Sequence, residues 1–135
     1  MIMDQETQKY DHIELVPFEC NEGWNMLIHT ALFTINSYLA WKTKHDPNAG
    51  HIVLDQVKEK FGTLRIYYTD YSNSADYVSG VIDFAENMSV HICEECGKPG
   101  KTRDDLSWIK TLCEDHYLVA KARQFQYTKS IKNEK

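Results

Sequence analysis

Cys93-Glu94-Glu95-Cys96-Gly97-Lys98-Pro99-Gly100, followed by Cys113-Glu114-Asp115-His116, is the stretch that decides the fold of this chain. A Cys-x2-Cys pair and a Cys-x2-His pair stand sixteen residues apart. Two close ligand pairs at such a separation are the pattern of a tetrahedral zinc site. A Cys-x2-Cys turn sets two sulfurs on one side of a tight loop. Gly97 lets backbone amides approach the thiolates. Pro99-Gly100 reverses the chain into a short hairpin, with Leu106 to Leu112 as the return strand. The second pair opens a helix from Cys113 to about Tyr127, with Leu118, Ala122 and Phe125 on one face. The positive end of that helix favours thiolate. Turn, hairpin and ligand-bearing helix describe a treble-clef-like finger over residues 91–128. Cys93, Cys96, Cys113 and His116 fill the coordination shell of Zn2+, which makes the metal structural, because a catalytic zinc keeps one position open. His91 is an alternative to His116. Cys20 is either a further ligand or a small buried apolar residue beside the first helix. A disulfide framework competes with the metal reading and is disfavoured in a reducing compartment.

Upstream of the finger the pattern is that of an ordinary folded body. The chain has 135 residues, 42% apolar and 26% charged, the size of one domain. Trp24, Leu27, Ile28, Ala31, Ile35, Tyr38 and Leu39 mark one face of a helix over residues 23–44, with Asn21 as N-cap. Pro47 lies in the loop that follows. Two alternating stretches, Ile52 to Val57 and Thr63 to Tyr68, predict a β-hairpin. Pairing Leu54 with Ile66 and Ile52 with Tyr68 sets apolar against apolar, faces Asp55 with Arg65, and closes the turn over Glu59, Lys60 and Phe61 before Gly62. Val53, Asp55, Val57, Thr63, Arg65 and Tyr67 then form the outer face. Asn73 begins a second helix, carried by Val78, Val81, Ile82, Ala85 and Met88 and ending near Ser89. The expectation is an α+β single domain: helix, β-hairpin, helix, then a zinc finger whose helix packs back. Its parts are an acidic segment 1–20, a body 21–90, the finger 91–128 and a basic tail 129–135.

The net charge of −5 is carried by residues 1–22, where six acids meet one base. No apolar run approaches the length of a membrane span, and the polar start shows no secretory signal. Membrane proteins, collagens, long disordered chains and strongly basic nucleic-acid coats are excluded. Lys58, Lys60 and Arg65 gather at the hairpin with Tyr67, while Lys98, Lys101, Arg103, Lys110 and Trp108 decorate the finger. Cations beside aromatic faces suit a phosphate- or nucleobase-bearing ligand. The competing readings are a cross-strand Arg65–Asp55 pair, a solvated turn for Lys58 and Lys60, and a Trp108 packed between finger and body.

The string from Gln56 to Tyr68, the Cys-x2-Cys-Gly-x-Pro-Gly turn, Thr111-Leu112-Cys113 with His116, and Cys20-Asn21-Glu22-Gly23-Trp24 resemble a family of small uncharacterised zinc-binding proteins of bacteriophages, prophages and bacteria. The resemblance spans about residues 18 to 120 and implies a bacterial cytoplasmic setting. The finger alone, through Cys93-Glu94-x-Cys96-Gly97 and Leu112-Cys113-x-Asp115, is similar to that of DksA/TraR-type regulators of RNA polymerase. It departs from them at His116, where they carry a fourth cysteine, and in lacking their long coiled coil.

The function expected is a non-enzymatic, zinc-stabilised regulatory protein that engages a host protein or other host macromolecule through hairpin and finger. One alternative is a sponge for a small signalling nucleotide in phage–host conflict, a role compatible with a homo-oligomer. Another is a regulator that binds nucleic acid or RNA polymerase, which the acidic charge disfavours and the basic tail supports. A metal-dependent hydrolase is the weakest reading. His51 and Asp55 would share a strand face but lack partners, and the finger helix spends its ligand positions on zinc.

Overall fold

The structure is a computed structural model that describes residues 9–133. It is mixed α+β, with a four-stranded sheet, a separate two-stranded sheet and three α-helices among the described residues. In chain order the elements are β1 (Ile13–Glu14), β2 (Phe18–Glu19), α1 (Asn25–His45), β3 (Ile52–Lys60), β4 (Thr63–Asp70), α2 (Ala75–Ser89), β5 (Lys101–Arg103), β6 (Lys110–Leu112) and α3 (Glu114–Asn133). A 3-10 turn, Glu22–Trp24, leads into α1. No helix among the described residues is long and apolar enough to cross a membrane.

The β3–β4 hairpin forms where the alternation predicts it, but in another register. Leu54 faces Tyr68 and Val57 faces Ile66, with an irregularity between Leu54 and Gln56. This bulge at Asp55 switches the faces of β3. Leu54 and Val57 both enter the core, while Gln56, Lys58 and Lys60 turn outward. Asp55 therefore does not face Arg65; its carboxylate accepts a hydrogen bond from Thr69 Oγ1 at 2.8 Å, and Arg65 sits opposite Lys58. The turn is tight. Lys60 faces Thr63, and Phe61 and Gly62 carry φ of 53° and 78°. Two positive φ values suit the two-residue turn that matches strand twist. Glycine takes such a φ freely, whereas phenylalanine does so at a cost.

Two short stretches of the acidic segment, residues 13–14 and 18–19, are part of the sheet. β1 and β2 both pair in parallel with β3, Ile13 beside Ile52 and Phe18 beside Val57, on the edge opposite β4. Asp4 and Glu6 lie outside the described residues. α1 and α2 pack together, α2 also lies on β4, and one apolar core joins Ile28, Leu32, Ile35 and Leu39 to Ile52, Val57, Leu64, Ile66, Val78 and Ile82. Asn21 makes no capping hydrogen bond; its Nδ2 donates to Glu95 Oε1 instead. α2 begins at Ala75, after Asn73 takes a φ of 58°.

The finger helix behaves differently from expectation. Among the described residues, α3 packs chiefly on β6 and the loop of the finger and not on the body. Its inward residues, Tyr117, Lys121 and Gln124, hold the 104–108 loop of the finger itself. Gln124 Oε1 accepts from the Ser107 N–H at 2.6 Å, Lys121 reaches Asp105, and the Tyr117 hydroxyl donates to Asp105. Leu118, Ala122 and Phe125, on the predicted apolar stripe, are exposed. The helix runs on to Asn133, so most of the basic tail is helical, and Lys135 lies outside the described residues.

Candidate metal centre

The finger is built around a closed turn. The Gly97 N–H donates to the Cys93 carbonyl at 2.9 Å, and the Cys93 N–H donates to the Lys98 carbonyl at 2.7 Å. β5 and β6 then form a three-residue ladder, shorter than the predicted return strand, and deliver the chain to the start of α3. Cys113 stands just before that helix and His116 in its first turn. The ligand atoms of Cys93, Cys96, Cys113 and His116 all lie within 4.8 Å of one another. Cys96 Sγ and Cys113 Sγ are 3.8 Å apart, and His116 Nδ1 is 3.7 Å from Cys93 Sγ and 3.2 Å from Cys113 Sγ. These four residues can hold a metal ion, with Nδ1 as the imidazole donor. The His116 N–H approaches Cys113 Sγ at 3.5 Å. That contact, at the positive end of α3, draws the Cys113 thiol down to about 7. His91 and Cys20 do not join the cluster. Cys20 packs against the core of the body, and burial pushes its thiol up to about 11, with the Glu94 and Glu59 carboxylates adding to the effect.

Two contacts dock the cluster on the body. The first is at Gly23, whose N–H donates to the Glu94 carbonyl at 2.9 Å; a Cβ there would stand 2.2 Å from the Cys93 oxygen. Beside it, fully buried Trp24 donates from Nε1 to the Ile92 carbonyl at 2.9 Å. The second is the hairpin tip, where Thr111 Oγ1 donates to the Gly62 carbonyl at 2.6 Å. Glu94, inside the Cys-x2-Cys turn, is buried between these contacts, and its backbone N–H donates to the Thr111 carbonyl at 3.0 Å. Desolvation pushes the Glu94 carboxyl up to about 7, against a weak opposing bond from the Thr111 N–H. The role of Cys20-Asn21-Glu22-Gly23-Trp24 is therefore to dock the finger, through Gly23 and Trp24.

The predicted binding residues fall into three settings. Lys58, Arg65 and Tyr67 share the outer face of the hairpin, with Lys60 near its tip. Trp108 is 57% exposed and stacks on Phe61, also 57% exposed, with ring centroids 6.3 Å apart and planes at 23°. It caps the hairpin tip from the finger without being buried between finger and body. Arg103 leaves the binding surface altogether. It is buried, bonds the Leu112 carbonyl through Nε and Nη2 at 3.2 Å, meets Glu114 at 3.3 Å, and lies 4.3 Å over the Tyr117 ring. A guanidinium three residues from a turn reads as surface in sequence, and only the packing of β5 against α3 turns it inward. Sequence reasoning missed Phe61 as a surface residue, although its place before a glycine in a two-residue turn was the available signal.

No family model, curated protein or solved structure matches this chain.

Proposed function

We propose that this chain is a small, non-enzymatic, zinc-stapled binding protein. Its contact surface would be the junction of hairpin tip and finger. The cluster supports zinc as the metal. Metal–sulfur bonds of about 2.3 Å in a tetrahedron give sulfur–sulfur edges of about 3.8 Å, the separation of Cys96 and Cys113. Three thiolates and one imidazole complete a four-coordinate shell, so the ion would hold the finger together and leave no position for a reacting water.

The observation that carries the binding role is the Phe61–Trp108 stack. A phenylalanine in a left-handed turn position is strained, and both Phe61 and Trp108 are more than half exposed. Neither ring is contributing a buried core contact, whereas aromatic anchors of this kind are what partner surfaces use. Lys60 precedes Phe61 in the turn, and Lys110 lies beside Trp108 at the hollow of Glu59 and Glu94; the exposed lysine at the tip favours an acidic patch on the partner. The resemblance of hairpin and finger to small phage and bacterial proteins makes a bacterial host protein the partner class expected.

The test is affinity capture from bacterial cells expressing the full chain, with elemental analysis of the same material. One zinc per chain is expected. Phe61→Ala and Lys60→Glu should each lose the captured partner while keeping the metal. Retention of every partner by both variants would overturn the surface, and a metal-free wild-type chain with unchanged spectra would overturn the staple.

A further inference from the structure

A second concave site lies on the other flank of Trp108. Leu106, Trp108, Lys110, Arg123, Gln124 and Tyr127 line a cleft of about 550 Å3 between the finger loop, β6 and the middle of α3. Its size lies within the range of about 300–1,000 Å3 usual for small-ligand sites. Trp108 is 57% and Tyr127 69% exposed, so two aromatic rings from two elements border one opening.

The cations of the finger stand in different settings. Arg103 and Lys121 are occupied by Glu114 and Asp105. Lys110 and Arg123 have no carboxylate within 4.0 Å among the described residues, and both line the cleft. Gln124 is oriented by the Ser107 N–H on its Oε1. Its amide N–H groups make no hydrogen bond among the described residues and remain as donors. The cleft thus offers two π-faces, two cations and one fixed amide, with no acidic lining residue; Lys110 also borders the neighbouring hollow of Glu59 and Glu94, so Arg123 is the cation that faces the cleft alone.

We propose that this cleft binds a nucleobase together with its phosphate, the base against Trp108 and Tyr127 and the phosphate on Lys110 and Arg123. Each half of the ligand has its own partner chemistry: stacking is indifferent to base identity, and the guanidinium of Arg123 can grip phosphate oxygens as a fork. The acidic chain as a whole disfavours a long phosphate track, so one or two nucleotides are the ligand size. The same chemistry is presented by a free mononucleotide and by a nucleotide within a single strand.

The chain's three tryptophans make the site directly readable. Trp24 is fully buried and Trp41 lies on α1, so the three indole N–H resonances of the zinc-loaded full chain report separate places. Titration with AMP, GMP, CMP and UMP, and separately with a single-stranded hexauridylate, should shift the Trp108 indole saturably and leave Trp24 and Trp41 in place. Tyr127→Ala and Arg123→Glu should each weaken binding about 10- to 100-fold with the indole spectrum otherwise intact. Mononucleotide binding as tight as hexauridylate binding would identify the free nucleotide as the source, and at least tenfold tighter hexauridylate binding would identify the strand. A Trp108 resonance unmoved by all five ligands overturns the site. An equal response to inorganic phosphate overturns base recognition. Phe61→Ala keeps this test apart from the partner-capture test, because Phe61 does not line the cleft. If nucleotides fail to bind while that variant still loses its captured partner, the binding-protein reading stands without this site.

Discussion

In the body, fourteen buried side chains from Tyr10 to Ile82 form one cluster contributed by α1, α2, β1, β3, β4 and the segments that lead into β1 and α1, with Phe18 of β2 partly buried against it. In the finger the corresponding cluster is Cys93, Leu112 and Cys113, with Leu106, Tyr117 and Ala120 partly buried against it. Two of those three buried residues are metal-ligand candidates. The body can be held by apolar burial, the main driving force of folding. The finger has too little apolar surface for that, and a small unit of this kind needs a metal or another cross-link. Its ladder is three residues long and its helix leaves its apolar stripe in solvent. The lesson is a division of labour along one chain, joined at Gly23 and Gly62.

The largest expected effect breaks that division at the metal. Cys113→Ser, or a strong chelator on the wild type, should unfold residues beyond about 91 while the body keeps its dispersed amide spectrum. Structural zinc contributes about 10–16 kcal/mol to finger peptides, far more than the finger's small core can replace. Limited proteolysis should then cut in the finger and spare the body. Loss of both regions together would show that they are one cooperative unit.

Leu32→Ala tests the opposite side. Leu32 is fully buried between helix and sheet, so its truncation should cost about 3–4 kcal/mol in denaturant unfolding. Leu118→Ala on exposed α3 should change stability by less than about 0.5 kcal/mol. Equal costs would mean that α3 is buried in solution.

Gly23→Ala tests the joint. Its methyl group would collide with the backbone of Cys93 and Glu94, which should lower stability by about 3 kcal/mol. The indole N–H of Trp24 should lose its exchange protection as its bond to Ile92 opens. Unchanged protection would show that the joint can shift to accept the methyl group.

A smaller effect is expected at the hairpin tip. Phe61→Asn places a residue that tolerates positive φ where phenylalanine is strained, and should raise stability by about 0.5–1 kcal/mol while removing the stack on Trp108. A lower melting temperature would show that the stack contributes more than the strain costs.

The smallest effect belongs to His29, inside the body. Its ring is buried against Tyr10 and Phe18, and Nδ1 meets the Tyr10 hydroxyl at 2.8 Å. Burial lowers its pKa below the ordinary 6.5, so folding favours the neutral ring. Above 6.5 the histidine is neutral in both states and has no pH-dependent effect. As pH falls below 6.5 the unfolded chain takes up the proton first, and stability drops. Denaturant midpoints with saturating zinc should decline from about pH 7 to pH 5.5, and His29→Phe should flatten that slope. The same slope in the variant would assign it to other groups.

Much of this architecture is legible in the amino-acid order. The repeat of Trp24, Ile28, Ala31, Ile35 and Leu39 is long enough to specify α1, which spans Asn25–His45. The strand alternation places β3 and β4, and the Cys/His spacing selects the four residues that cluster. The bulge at Asp55 is not legible, because alternation assumes an unbroken ladder and one extra residue exchanges every face beyond it. Nor are β1 and β2: two-residue strands have no period to detect, and they exist because the edge of β3 offers unpaired backbone groups.

Spacing along the chain specifies the helices, the β3–β4 hairpin and the four residues that cluster. Tertiary structure alone decided which cations are available. Arg103 and Arg123 are indistinguishable as letters, yet one is buried against Leu112 and Glu114 and the other borders an open cleft. It also decided that α3 serves its own finger. A helix presents its apolar stripe to whatever surface lies near, and the polar anchors at Asp105 and Ser107 hold α3 so that this stripe faces solvent. Contacts between residues distant in sequence set that orientation, and no pattern within the helix encodes them.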